Sequence, residues 1–445
     1  MSWRGAGLLT RLRPPPVLVA ALITGLALAV LIPIAVTSTY GTVGVIFALV
    51  VFAGLVVVGF GYTSEFFVIL GACLVPMSNL HPVDAVSFIT VADASFAVGF
   101  GLMLPDLMRR PLQLPTVFVV GVVGVFTVAL FSSVLADDPV GSFNYLARLL
   151  VGAFGLSILI VWWNPDRVRV LLIACAYVLG NVISVGYALG SGQEARDGRR
   201  GGLAEHPNVY GLTCMLAVTI VPFIVTQFPR SWRWIPAGAG VVCLYGVYSS
   251  GSRAALAVLI GVAVILPVLA RSVPTALALL TALATFLVFS TQLLGTTSSG
   301  NALGRLLGAG SADLSDLARE QLLEEAIDRF WDSPIIGNGL AGIIEAHVIY
   351  VQIAAALGVI GLAFYLLVLW STVHPITVLS PPYSLLAVPA LSYVVLGFVT
   401  PVLWDRYIWM VTSLALLAPG LAAAAAADGD TSEIDQRNEV ADASA

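Results

Sequence analysis

The chain contains no lysine and little charge of any kind. Only 10% of its 445 residues are charged, against about 25% in ordinary soluble domains. All 20 basic residues are therefore arginine. Four histidines, His81, His206, His347 and His374, show no zinc-ligand spacing, and no glycine-rich nucleotide-triphosphate loop is present. The four cysteines (Cys73, Cys175, Cys214 and Cys243) each sit inside an apolar run without metal-ligand spacing, which reads as small core residues. No cofactor, no metal and no nucleic-acid partner is expected. No small-residue cleavage site follows Arg4, Arg11 and Arg13, so the first apolar stretch reads as a retained helix.

What the chain has instead is apolar sequence: 59% of residues, with a mean hydropathy of +0.98. It falls in blocks of about 17–24 residues, the length a helix needs to cross about 30 Å of hydrocarbon. Backbone amides in lipid must be satisfied within their own segment, and strand-period alternation is absent, so the blocks read as helices. The candidate spans are 16–37, 41–60, 65–80, 88–106, 115–135, 143–163, 169–190, 209–227, 234–249, 254–270, 273–293, 347–370, 383–401 and 406–426. The expected fold is an all-α polytopic membrane protein of about 12–14 transmembrane helices. The segments at 65–80 and 88–106 carry polar interruptions, which leaves a re-entrant reading open for them.

Arginine in short loops orients such a protein. With both termini in the cytoplasm, Arg109, Arg110, Arg167, Arg169, Arg230, Arg233 and Arg271 fall in inner loops, and the acidic stretch 136–139 falls outside. Arg196, Arg199, Arg200, Arg253, Arg305, Arg319, Arg329 and Arg406 then also lie outside, with His206 and His347. Outer arginines run against the bias. Either local ion pairs or a shared anionic ligand accounts for them.

The longest outer loop, 294–346, opens with a flexible Gly-Thr-Thr-Ser-Ser-Gly-Asn stretch. Leu314, Leu317, Leu322, Ala326, Ile327, Phe330 and Trp331 then recur at helical steps, predicting an amphipathic surface helix capped by Ser315 or Asp316. Gly337-Asn338-Gly339 reads as a turn into the next span. Residues 1–427 are expected to form a single membrane domain, and the polar acidic tail 428–445 to be a disordered cytoplasmic segment.

Four constellations on the outer side carry candidate chemistry. Arg199-Arg200-Gly201 leads to His206-Pro207-Asn208, where an arginine meets a phosphate or Asn208 simply caps a helix behind Pro207. Ser249-Ser250-Gly251-Ser252-Arg253 joins two apolar helices. There a guanidinium and helix-start amides can converge on an anion, or the arginine reaches lipid headgroups. Arg319 lies three residues after Asp316, a possible pairing partner, and Arg329 four after Glu325, a favourable helical pair. His347, opening an apolar span, is the natural proton acceptor near neutral pH, or an interfacial histidine bonded to a carbonyl. Arg148 is a further candidate anion contact, and Asp405-Arg406 reads as an ion pair or another ligand contact.

In this order the elements resemble the O-antigen ligase and O-antigen polymerase superfamily. The resemblance runs over roughly residues 196–370. It rests on Arg200-Gly201 through Pro207-Asn208, Ser250-Gly251-Ser252-Arg253, Arg319 ahead of Asp332 to Gly339, and His347 followed by Gln352 and Gly358-Val359-Ile360-Gly361-Leu362. Val348 stands where the family often has Asn, and Ala356 where it often has an acidic residue. The resemblance implies a metal-independent, inverting membrane glycosyltransferase of the bacterial inner membrane, with an extracytoplasmic active site. Its donor would be a polyprenyl-diphosphate-linked glycan and its acceptor a sugar hydroxyl on a glycan or glycolipid. Carried over residue by residue, it implies Arg200, Arg253 and Arg319 at the diphosphate, His347 as catalytic base, and Arg199, His206, Asn208, Arg148 and Arg406 as further candidate contacts. Two other classes fit the composition: a transporter of a lipid-linked or anionic solute, and a non-catalytic glycan-binding membrane subunit.

Overall fold

The computed structural model describes residues 63–81, 89–191, 198–269, 300–307, 313–341 and 347–427, with isolated helical positions between 273 and 288. The expected spans 16–37 and 41–60, the loop start 294–299, the tail 428–445, and Arg196, Arg271 and Glu345 lie outside these residues, and the span 273–293 is covered only at isolated positions.

The described residues form helices and loops with no strand. In chain order the helices are α1 (Thr63–Leu74), α2 (Val91–Leu107), α3 (Thr116–Leu135) and α4 (Pro139–Leu149), which passes through a π turn, Leu150–Gly155, into α5 (Leu156–Trp163). Next come α6 (Arg167–Gly190), α7 (Pro207–Gln227), α8 (Trp234–Ser249), α9 (Arg253–Leu269), α10 (Ala302–Leu306), α11 (Asp313–Asp332) and α12 (Ile349–Val373). After these, α13 (Val388–Leu396) follows a 3-10 turn at Tyr383–Ala387, and α14 (Arg406–Thr412) continues through another at Ser413–Leu417. Among the described residues six helical stretches are long and apolar enough to cross a membrane: α3, α4–α5, α6, α7, α12 and Arg406–Ala427. Ser64–Leu74, Arg253–Leu269 and Tyr383–Leu396 are shorter apolar stretches.

Local chemistry explains the boundaries. Asp138 caps α4, its carboxylate accepting from the Gly141 amide at 2.9 Å with Pro139 behind it, so this span starts four residues before the expected 143. Asp166 caps α6 in the same way. Thr90 and Asp93 form a reciprocal capping box at the start of α2. The helix α11 begins at Asp313, so Ser315 and Asp316 lie in its first turn rather than at its cap.

α3 is apolar on every side. Phe118, Val125 and Ala129 face the bundle while Val117, Val123 and Val134 are exposed, a distribution suited to lipid rather than water. Its inner face is open at Gly121 and Gly124. A Cβ at Gly124 would lie 2.2 Å from the Phe364 ring of α12, so the two helices touch almost backbone to side chain. α7 is the central helix, buried along most of its length from Tyr210 to Ile224. The buried Tyr177 hydroxyl of α6 donates toward the carbonyls of Thr213 and Tyr407, tying α6, α7 and α14 together. Cys214 and Cys243 are buried in this core and none of the four cysteines is in a disulfide.

Contacts sort the loops into two ends. At one end Arg169 pairs with Glu65 at 2.8 Å, Arg167 donates to Gln227, and the Trp162 indole donates to the Arg110 carbonyl. At the other, the Asn79 amide donates to Leu203, Arg200 to Ser249, Ala341 to Ser142, and Ile349 to Gly397. The helices thus run back and forth, and the second set of loops gathers at one end.

Candidate functional site

The second end is built around a turn. Ser252 caps α9, its hydroxyl accepting from the Ala255 amide at 3.3 Å, and the Ser250 hydroxyl accepts from the Ser252 amide at 3.0 Å. Gly251 between them has φ +66°, and a Cβ there would lie 2.8 Å from Arg199 Nε and 3.0 Å from the Gly300 carbonyl. Only glycine allows this left-handed turn to pass beneath both. Arg253, half-buried, is thereby fixed at the first position of α9. The Ala255 amide is taken by the cap, so this one of the helix-start donors does not face outward.

The loop before α7 is sewn to that turn. Arg199 donates from Nε to the Ser250 carbonyl at 2.9 Å and from Nη2 to Asn208 Oδ1. The Arg200 amide donates to the Ser249 carbonyl, while its guanidinium reaches toward the Ala188 carbonyl at 3.4 Å. Of the arginine pair, Arg199 is thus the one laid across the Ser-Gly-Ser turn. The helix cap also differs from expectation: His206, not Asn208, caps α7, its Nδ1 accepting from the Asn208 amide at 3.1 Å. The residue before a proline is driven to extended backbone, and Pro207 has no amide, so the cap belongs two residues earlier than expected. An accepting Nδ1 requires a neutral ring. The His206 pKa is lowered by partial desolvation, then by Arg199, and the neighbouring Glu205 opposes this only in part.

The remaining arginines separate. Arg406 forms an ion pair with Asp93 of α2 at 2.5 Å, rather than with its neighbour Asp405 alone. Asp93 gives one oxygen to Arg406 and the other to the Thr90 cap. Arg148 is exposed and lies 5.4 Å over the ring of Tyr145, which in turn packs on Trp404.

His347 lies within the field of Arg319. The span expected from residue 347 begins as a helix only at Ile349, with Val348 as N-cap. His347 stands before it in left-handed backbone, φ +55°, an uncommon conformation for a side chain of this size. It is half-buried, and none of the described residues hydrogen-bonds its ring. Burial lowers its pKa below the ordinary value near 6.5, and the positive charge of Arg319 on α11 lowers it further.

A feature absent from the sequence reading holds these two residues' helices. α12 is broken at Gly358, where φ is +65° and ψ −174°. In an unbroken helix the Val359 and Ile360 amides would donate to the Ala355 and Ala356 carbonyls. Here they donate to Pro334 and Ile335 at 2.8 and 3.5 Å, and the Asn338 and Gly339 amides donate to Ala355 and Ala356 at 3.1 and 3.0 Å. The Ser132 hydroxyl of α3 also donates to Ala356, at 2.8 Å. The loop 333–339 thus exchanges bonds with the break one for one, which non-helical backbone inside a membrane requires. A Cβ on Gly358 would stand 2.2 Å from the Ile335 carbonyl, and one on Gly337 2.2 Å from that of Ala356. The Asn338 side chain donates from Nδ2 to the Ala355 carbonyl at 3.3 Å and to the Arg329 carbonyl near the end of α11.

Among the described residues no group of three or more His, Cys, Asp or Glu side chains converges as a metal site. No curated protein matches the chain. A family model described as O-antigen ligase matches residues 238–366, from α8 through the Ser250–Arg253 turn, Arg319, His347 and the break in α12. The match starts after Arg199, Arg200 and the cap of α7, so it is shorter than the stretch of resemblance read from the sequence. Six helical stretches long and apolar enough to cross a membrane mark a multi-pass membrane protein, and the match of residues 238–366 to the O-antigen ligase model supports a likeness to the O-antigen ligase and polymerase superfamily.

Proposed function

We propose that the protein is an extracytoplasmic glycosyltransferase of the bacterial inner membrane. It moves a glycan from a polyprenyl-diphosphate donor to a sugar hydroxyl, without a metal ion and with inversion. The observation that carries this reading is the matched domain, which spans Arg253, Arg319 and His347, the last half-buried in left-handed backbone with its pKa lowered by burial and then by the charge of Arg319. A neutral imidazole takes the proton from the acceptor hydroxyl. The acceptor oxygen then bonds to the anomeric carbon from the face opposite the diphosphate. The bond from that carbon to the diphosphate oxygen breaks, and its electron pair leaves with the diphosphate. The developing charge needs fixed donors. Arg253 at the start of α9 and Arg319 on α11 are the residues assigned to it, with Arg200 or Arg199 at the rim. Asn208 and His206 then serve by holding Arg199 and the start of α7.

The break in α12 bears on the transporter reading. Transporters use broken helices to line a solute path. Here the Val359 and Ile360 amides and the Ala355 and Ala356 carbonyls are engaged by residues 334–339, which favours a fixed scaffold over a gate.

The test is transfer by the purified full-length protein from a polyprenyl-diphosphate glycan, with chelator present. Wild type is expected to turn over and His347→Ala to lose transfer while remaining folded and donor-bound. Full activity in the variant removes His347 from the mechanism. Inhibition of wild type by chelator overturns the metal-free reading, and donor movement across liposomes without transfer favours a transporter.

A further inference from the structure

We infer that the last turn of α11 and the loop after it dock into the bilayer, with Trp331 and Ile335 entering the lipid leaflet at the end where the loops gather. The partner is a lipid surface, and the inference stands apart from the glycosyltransferase reading.

The break in α12 fixes the level. Ser132 of α3 donates to the Ala356 carbonyl, and α3 ends three residues after Ser132, at Leu135. Gly121, near the start of α3, meets Val368 of α12. The two helices thus run side by side in opposite directions. Ala356 is level with a point about 5 Å inside the end of α3, near the edge of the hydrocarbon rather than its middle. The Val359 amide donates to the Pro334 carbonyl and the Ile360 amide to that of Ile335, so the loop after α11 is held at this same level.

Beyond the break, Val359, Ala363, Leu366 and Trp370 are exposed at steps of three and four, a strip along one side of α12. An exposed apolar strip on a helix able to cross a membrane is a lipid face. Trp370, 52% exposed, closes it near the far end of the helix, as tryptophans do at a membrane boundary. Exposed apolar residues resume across the bonds at the break. Ile335 is 61% exposed and Ile336 is exposed beside it, and Trp331, at 69%, precedes them in the last turn of α11 with Ile327 one turn before.

The exposed part of α11 has two edges. Ile327 and Trp331 share one, and Gln321, Glu325, Asp328 and Asp332 lie about a third of a turn away on the other. Glu320 falls on the apolar edge, but eleven residues before Trp331, about 16 Å back along the helix. Charge therefore leaves this edge as the helix nears the loop. That is the pattern of a helix whose tip enters the headgroup boundary while its acidic edge stays in water.

The experiment is fluorine NMR of the full-length protein, labelled with fluorotryptophan, in phosphatidylcholine nanodiscs. The chain has nine tryptophans, and the signals of Trp331, Trp370 and Trp409 are identified by their loss in the three Trp→Phe variants. If Trp331→Phe does not fold, Trp331→Tyr serves, and if Trp409→Phe does not, the equally buried Trp163 replaces it. Lipid spin-labelled in the upper acyl chain is then added to the wild-type discs. Trp370 is the lipid-facing reference and Trp409 the buried one. The Trp331 signal should broaden nearer to Trp370 than to Trp409. Broadening nearer to Trp409 overturns the inference. A Trp331 signal that responds instead to a soluble gadolinium chelate lies in water, and one that responds to neither is covered by a second copy or another segment of the chain. If Trp370 itself does not broaden, the strip is not a lipid face and the inference falls with it. Ile335→Asp should reduce the broadening at Trp331 and leave that at Trp370, and an unchanged Trp331 signal overturns the part given to the loop. If that variant does not fold, Ile335→Ser removes the apolar bulk without adding charge. The readout needs no turnover, so it stands whatever the transfer assay gives.

Discussion

Gly358→Ala is the sharpest perturbation of the interlock between α12 and the loop before it. Glycine-only backbone at φ +65°, ψ −174° costs an alanine about 1–3 kcal/mol. The new methyl would stand 2.2 Å from the carbonyl carbon and oxygen of Ile335 and 2.5 Å from the Ile336 nitrogen. Relief to ordinary contact needs the loop to retreat by about 1 Å or more, since the neighbour is backbone and cannot swing aside. That retreat stretches the bonds from Val359 to Pro334 and from Gly339 to Ala356, now 2.8 and 3.0 Å. At about 1 kcal/mol for each bond, and more in a bilayer, the local cost sums to about 3–5 kcal/mol. The helix has one escape: α12 closes, the Val359 amide returns to Ala355, and the loop is expelled. Either way the Asn338 and Gly339 amides lose their acceptors. Hydrogen exchange in nanodiscs reads this directly. About 3 kcal/mol is more than a hundredfold in local exchange rate at those two amides, and α12 beyond Val359 should stay protected. Gly186→Ala is the control, because its added methyl meets nothing within 4 Å. Wild-type protection at residues 338 and 339 in Gly358→Ala would refute the reasoning.

Three further outcomes are expected. His347 must be neutral to accept a proton and its pKa is lowered, so transfer should stay full down past pH 6.5 and fall only as pH drops through the lowered value. Arg319→Gln should move that acid limb upward, though not fully, because burial is the larger cause; a limb at or above 6.5 in wild type contradicts the assignment. Arg253→Lys should restore transfer poorly relative to Arg253→Ala in steady-state kinetics, since lysine lacks the two-pronged fork; full rescue would reduce the role to charge alone. Asp93→Ala removes both the α2 cap and the Arg406 pair. The pair is partly exposed, so thermal unfolding in detergent should report a loss of only about 1–2 kcal/mol, and no loss would show the box to be redundant.

Much of the architecture was legible because it depends on local composition. Long apolar blocks mark the helices, and the Arg169–Glu65 and Arg167–Gln227 contacts gather the ends of α1, α6 and α7. The cap at His206 was recoverable from Pro207, whose restraint on the preceding residue points there. The break at Gly358 was not. Its stabilising partners lie some twenty residues earlier in a segment that reads as a plain turn, and the apolar run continues across it without a change of period. The Asp93–Arg406 pair joins residues more than three hundred positions apart, and nothing local to either selects the other. Asn338 escaped notice for the same reason: between two glycines it reads as a turn residue, and its task appears only when two distant helix ends meet it.

The break in α12 has a mechanical consequence. An intact helix is stiff and passes a push at one end to the other. Here the stretch Val359–Val373 is clamped to α3 through Gly121 and Gly124, while the nine residues from Ile349 to Leu357 form a separate strut seated on the loop. Thrust on the strut is taken up by loop 333–339 and by α11 before it reaches the clamped part. The two parts of α12 are thus anchored to different neighbours, the strut through Ile349 to Gly397 and through the loop, the rest to α3.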